Sequence, residues 1–290
     1  MPFTLSHPAA VLPLMRRPFS RTALVSGAVA PDMPYFVVAT GPPVSAQSWY
    51  EPFVNATTSH TALGAVTVTL PYALVLWGMF RAGRRPLASL LPIPVTPSPP
   101  RTVGTLIRRA GWITLSALIG IATHLVWDAF THHDGFVVTH APWLTSAMVG
   151  SLTWARALQH ASTIGGLAAT AVYVRRGRAR LLAGEGRTGP SSATRRGALL
   201  AMALFTVVGA VAHAGWWLAG PEAATTGQPL SMVIEGVMSD AAKGAGATLI
   251  GTLALYVIAW WIRRAVTAIR ARRSGSGAVH GEAPQASTTV

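Results

Sequence analysis

The residues best suited to chemistry in this chain are spaced four apart: His124, Asp128 and His132, in the run His124-Leu-Val-Trp-Asp128-Ala-Phe-Thr-His132-His133-Asp134. At about 100° and about 1.5 Å per residue, a helix rotates such a series by about 40° and lifts it about 6 Å per step, so one face presents imidazole, carboxylate and imidazole in a column. Imidazole nitrogen and carboxylate oxygen are ligands for Zn²⁺ or a related divalent ion, and an i, i+4 pair on one helix can chelate it. The plainer alternative is that Asp128 pairs with a histidine or an interfacial arginine while His132 and His133 are solvated.

Further candidates lie elsewhere. Asp32 stands in Ala30-Pro31-Asp32-Met33-Pro34, where prolines break a helix and expose carbonyls beside a carboxylate. His60 leads an apolar run. His160, near Ser162 in Leu158-Gln159-His160-Ala161-Ser162, reads somewhat better as a helix-start or interfacial residue than as a ligand. His213, beside Trp216 and Trp217, reads as a packed core histidine, and His140 and His280 as loop and tail residues.

The elements that must position these side chains are those of a membrane protein. The chain has 290 residues, 51% hydrophobic and 11% charged, with no Cys, and its mean hydropathy is +0.42. Soluble domains carry roughly a quarter charged residues, so this composition excludes an ordinary globular domain, a disordered chain and a disulfide scaffold. Five apolar runs approach the roughly 20 residues a membrane-crossing helix needs: Thr61–Phe80, Ala110–Phe130, Ala157–Val174, Ala198–Gly220 and Gly244–Ile262. A sixth, Thr22–Val38, is interrupted by Pro31, Asp32 and Pro34 and predicts a broken helix. No internal repeat is present.

The net charge of +14 does not mark a nucleic-acid binder. Lys243 is the one lysine, and the arginines fall in short clusters between apolar runs, the pattern of cytoplasmic loops. Clusters at Arg16–Arg21, Arg81–Arg109, Arg175–Arg196 and Arg263–Arg273 alternate with loops carrying Glu51, Asp134, and Glu222, Glu235 and Asp240. The expectation is an all-α polytopic transmembrane helix bundle of about six spans with both termini cytoplasmic, and His60, His124 and Asp128 toward the outer face. Residues 1–265 form one helical domain, with the motifs in 1–170, and residues 266–290 read as a disordered cytoplasmic tail. The stretch RRPFSRTALVSGAVAP is similar to a twin-arginine signal, but Pro31 would follow the cut. Leu90–Pro100, with its prolines, reads as a connector.

The opening Met1-Pro2-Phe3-Thr4-Leu5-Ser6-His7-Pro8-Ala9-Ala10, then Gly27-Ala28-Val29-Ala30-Pro31-Asp32, His60, His124 through His132, and Leu158-Gln159-His160 with Ser162 and Gly165, occur in an order that resembles a domain-of-unknown-function family of bacterial integral membrane proteins. More distantly, residues 1 to 170 look like the membrane-bound metal-dependent hydrolases. That resemblance implies metal ligation by His7, Asp32, His60, His124 and Asp128, with His132 and His160 as additional ligands or supporting groups. Where the hydrolases carry His-Arg-Gly followed by Thr-His-Ser, this chain has Thr58-Ser59-His60-Thr61, so one further ligand has no counterpart. The charge rule sets His7 on the side opposite Asp32 and His60 unless Leu5–Leu14 dips into the membrane as a re-entrant or tilted helix.

The functional expectation is a membrane-embedded hydrolase of a bacterial inner membrane with a divalent metal, Zn²⁺ foremost. Asp128 or Asp32 serves as general base, and the substrate is a lipid or phosphoester at the outer face. Two readings share the same residues: a proton- or metal-coupled transporter, in which ionisable groups continue across the bilayer, and a non-catalytic protein with a structural metal site. No Gly-x-Ser-x-Gly elbow or Gly-rich phosphate loop is present, which disfavours serine hydrolysis and nucleotide-driven work.

Overall fold

The computed structural model describes residues 3–90, 102–150, 152–182, 191–221 and 229–278. The architecture is all-α apart from one small antiparallel ribbon, Ala147–Val149 with Leu152–Thr153, turned at Gly150 with φ +58°. Six helices organise it: α1 (Arg21–Val29), α2 (Leu70–Leu90), α3 (Val103–Thr131), α4 (Trp154–Leu182), α5 (Ser192–Ala219) and α6 (Leu230–Ala278).

Among the described residues, four segments are long and apolar enough to cross a membrane by length and composition: Ala62–Leu90, Val103–His140, Ser192–Ala219 and Leu230–Ala271. α4 has the length, but Gln159, His160, Ser162 and several glycines and alanines dilute its apolar content. The interrupted run over Thr22–Val38 is indeed a broken helix. α1 ends at Val29, a 3₁₀ turn spans Ala30–Asp32, and a second helical piece runs Met33–Val38. Pro31 and Pro34 force this break because neither carries an N–H to continue the ladder.

Helix starts follow local chemistry. Ser20 Oγ accepts from the Ala23 amide at the head of α1, Thr102 Oγ1 from the Thr105 amide at the head of α3, and Ser191 Oγ from the Thr194 amide at the head of α5, each satisfying a donor the first turn leaves open. α6 continues through Ala278, past residue 265 where composition predicts a tail, because Arg270, Ala271, Arg272 and Arg273 are strong helix formers. Residues 279–290 lie outside the described residues, as do 91–101 of the Pro-rich connector and Glu222.

Packing centres on α1. It lies against α3 and α2, with the N-terminal segments Thr4–Ser6, Pro8–Val11 and Leu12–Leu14 folded back beside it and α4 covering those segments. α1 and α3 touch backbone to backbone: a methyl at Gly27 would collide with the Ala117 carbonyl, and one at Gly120 with the Leu24 carbonyl and the Ala28 amide. Small residues at a spacing of four, Ala23 and Gly27 facing Ser116 and Gly120, permit this approach, as they do in helix pairs within lipid. The Ser20 amide donates to Ser116 Oγ at 2.9 Å, and the Phe19 ring meets Trp112 edge-on, so the Arg16–Ser20 turn lies one helical turn from Arg108 and Arg109.

α5 and α6 form a peripheral pair that joins the rest through contacts of α6 with α2 and with Met33–Val38. The most apolar stretch of α6 has no buried residue, and Trp216, Leu200 and Val211 on α5 are 82%, 70% and 65% exposed. Exposed apolar area on this scale exceeds what a monomer in water carries.

Candidate metal centre

Four buried histidines and aspartates, with two more histidines at their edge, converge on one point. His7, Asp32, His124 and Asp128 are each 5% exposed or less, and His60 and His132 lie at the edge with side chains 19% exposed. Asp128 Oδ2 faces three imidazoles: His124 Nε2 at 3.1 Å, His60 Nε2 at 3.4 Å and His132 Nε2 at 3.6 Å. Its other oxygen, Oδ1, faces His7 Nε2 at 3.7 Å. Asp32 Oδ1 lies 3.5 Å from His124 Nε2 and 3.7 Å from His60 Nε2. The His7 ring stacks on that of His124, with centroids 3.7 Å apart and planes inclined by 17°.

Each element reaches this point for a local reason. His124 and Asp128 occupy successive turns of α3 on the face turned to α1. Asp32 sits at the proline break just after α1, and that break leaves last-turn carbonyls of α1 open to other donors. His124 Nδ1 donates to the Ala28 carbonyl at 2.7 Å. His60, closing the short helix Ala56–Ser59, is held the same way, with Nδ1 donating to the Ala56 carbonyl at 2.7 Å. The preceding Ser59 ties this segment down: its hydroxyl donates to the Pro31 carbonyl at 2.7 Å, and its own carbonyl accepts from Thr69 Oγ1 at 2.7 Å. A carbonyl exposed by the broken helix thus anchors the residue next to His60.

The tautomers follow. A carbonyl only accepts, so Nδ1 of His124 and of His60 carries a proton, and in the neutral ring Nε2 turns a lone pair inward. The central atoms then form a collection of acceptors: Asp32 Oδ1 and Oδ2, His60 Nε2, His124 Nε2, Asp128 Oδ1 and Oδ2, and His132 Nε2 are all buried without a hydrogen-bond partner. They make up seven of the nine such side-chain atoms among the described residues. Left alone, so many desolvated acceptors would cost several kcal/mol.

A cation would remove the conflict. Donors at 2.0 to 2.2 Å from a tetrahedral metal are about 3.4 Å apart, and the nitrogen–oxygen separations here run from 3.1 to 3.7 Å. Two overlapping sets, His7, Asp32 and His124, and His60, His124 and Asp128, have ligand atoms close enough to hold a metal ion. The Nδ1–H···O=C bonds of His124 and His60 supply the orientation by neighbouring acceptors that metal-ligating histidines commonly receive.

Of the seven residues expected from the sequence, Asp32, His60, His124 and Asp128 converge, and His132 and His7 join them. His7 arrives because the N-terminal segment folds back along α4, with the Phe3 amide donating to Thr163 Oγ1 at 3.2 Å. His160 is exposed on α4 and belongs to neither set. His213 is half-buried against Gly244 of α6 and stands apart from the centre, as a packed histidine would. The parts that motif reading missed are Ser59 and the carbonyls of Ala28 and Ala56. The backbone acceptors have no sequence signature, whereas the small-residue spacing on α1 and α3 was available as a signal.

No curated protein and no solved structure matches this chain significantly. A family model, described as Domain of unknown function (DUF4184), matches residues 1–256 and so includes every residue of the centre. A match over that much of the sequence, its motifs now gathered at one buried point, places the chain in the DUF4184 family.

Proposed function

We propose that the protein is a membrane-embedded, metal-dependent hydrolase whose centre binds a divalent ion, Zn²⁺ foremost, and acts on a lipid or phosphoester-type substrate at the outer face of a cell membrane. The observation that carries this reading is the group of seven buried, unpartnered acceptor atoms on Asp32, His60, His124, Asp128 and His132. An imidazole-rich, thiolate-free donor set suits zinc. A divalent ion held there would lower the pKa of a bound water toward neutrality and polarise a phosphoryl or acyl oxygen.

The chain's own groups supply the rest. Asp32 and Asp128 hold four carboxylate oxygens in the centre, more than one ion takes alongside the imidazoles, so one of them is free to accept the proton of the attacking water. His60 and His132 form the more open edge. The chain beside them carries Leu63 and Phe136, 75% and 71% exposed. Exposed apolar side chains this close in sequence to His60 and His132 suit a substrate with a hydrocarbon portion.

The Arg-bearing helix ends, including the Arg16–Ser20 turn and the start of α3, face the cytoplasm in this reading. The four long apolar segments, the broken helix and α4 then make a multi-pass bundle of six, with the C-terminal end inside. Thr4–Leu14 is the re-entrant piece that brings His7 to the depth of Asp32 and His60.

The test is metal analysis of full-length protein purified in detergent without chelators, followed by phosphate release from phosphatidate and from a polyprenyl phosphate. The expected result is bound divalent metal and phosphate release, both lost in Asp128→Asn. Wild-type protein that is metal-free and takes up no added Zn²⁺ or Mn²⁺ would overturn the proposal.

A further inference from the structure

The geometry points to a centre built for two cations bridged by Asp128, an inference that rests on the metal-dependent reading above. The two oxygens of this carboxylate have different audiences. Oδ2 faces His60, His124 and His132 at 3.4, 3.1 and 3.6 Å, while Oδ1 faces His7 at 3.7 Å. A ligand to one ion usually turns one oxygen to the metal and the other to a hydrogen-bond donor. Both oxygens of Asp128 are buried here, and the groups that face them are imidazole Nε2 atoms alone.

The donor count gives the same answer. Four imidazole nitrogens and four carboxylate oxygens make eight donor atoms, whereas a single Zn²⁺ takes four or five. Asp32 likewise has both oxygens buried and unpartnered, with Oδ1 toward His124 and His60. His124 has one nitrogen to offer, because Nδ1 is committed to the Ala28 carbonyl, so the two overlapping ligand sets cannot both use it. One ion takes His60 and His124 with Asp128 Oδ2, and His132 stands 3.6 Å from that oxygen at the edge. The second takes His7 and Asp32 with Asp128 Oδ1. Ions sharing a carboxylate in this way lie about 3.5 to 4 Å apart, the spacing at which a pair can clamp the attacking and leaving oxygens of a phosphoryl or acyl transfer.

The experiment saturates the full-length, detergent-purified protein with Mn²⁺ and reads ions per chain by elemental analysis and ion–ion coupling by electron paramagnetic resonance. Two ions per chain with an exchange-coupled spectrum are expected. His7→Ala should fall to one ion with an uncoupled spectrum, and His160→Ala, whose side chain lies outside the centre, should keep two coupled ions. One ion in the wild type, or two coupled ions retained in His7→Ala, would overturn the paired centre while leaving a mononuclear metal enzyme standing. No ion at all would overturn both readings. Circular dichroism and size-exclusion profiles matching the wild type establish that each variant compared is folded.

Discussion

His124 Nδ1 donates to the Ala28 carbonyl at 2.7 Å, a bond between the third and first long helices that turns the ring's Nε2 toward both aspartates. It exists because Gly27 and Gly120 let the two backbones touch. Ligand orientation in this protein is therefore a property of helix packing.

That dependence gives the first prediction. Gly120→Val drives a branched side chain into the Leu24 carbonyl and the Ala28 amide, displacing the acceptor of His124. Loss of a ligand's orienting partner typically weakens metal affinity by about 10- to 100-fold. Competitive titration with a chelating dye should show this, whereas Gly215→Val, at a position with no neighbour within 4 Å, should match the wild type. Equal affinity in both variants would separate the helix contact from the site.

Removal of direct ligands should be more severe. Asp128→Asn keeps the shape but lowers the negative charge faced by four imidazoles, and His124→Ala removes a nitrogen near both carboxylates. Elemental analysis is expected to find bound metal reduced at least tenfold in each. Arg84→Ala and Arg85→Ala, in the second Arg cluster, should retain it. Full retention in Asp128→Asn would remove this residue from the ligand set.

Acidification should release metal. Imidazoles bind metal only as neutral rings, so protons compete with the ion, and binding releases them. As pH falls, affinity should drop by up to about tenfold per pH unit for each proton taken up. Metal retention by equilibrium dialysis between pH 7.5 and 5.5 measures it, and flat retention would contradict histidine ligation.

Metal removal should also destabilise the fold. An ion that binds only the folded chain stabilises it by about 2.7 kcal/mol at 100 times its dissociation constant, and stripping it exposes the carboxylates of Asp32 and Asp128 to uncompensated burial. A chelator should therefore lower the midpoint of thermal unfolding in detergent, and added Zn²⁺ should restore it. An unchanged midpoint would mean the acceptors are satisfied in another way.

The Cys-free background permits a direct topology test. Asp134→Cys, just beyond α3 on the side of the centre, should react with a membrane-impermeant maleimide in intact cells, and Ser192→Cys, at the head of α5, only after lysis. The reverse pattern would invert the proposed orientation.

Sequence and structure divide along physical lines. The pairing of His124 with Asp128 was legible from spacing because a helix repeats every 3.6 residues, and His132 continues that column although it caps the helix in extended conformation. The break at Pro31 and Pro34 was equally legible, since proline's missing N–H acts locally. The apolar runs and arginine clusters likewise follow from composition.

Spacing along one chain carries no information about which distant segments meet. His7 entered the sequence reading only through a family resemblance, and whether it meets Asp128 depends on the N-terminal segment folding back along α4. His160, a ligand only by the family resemblance and locally readable as a helix-start residue, is exposed. Residue chemistry and helical periodicity, which are local, were decided by the sequence alone. The meeting of His7, Asp32 and His60 with α3, and the carbonyls that aim their rings, were decided by the tertiary structure, because they depend on contacts between segments up to 160 residues apart.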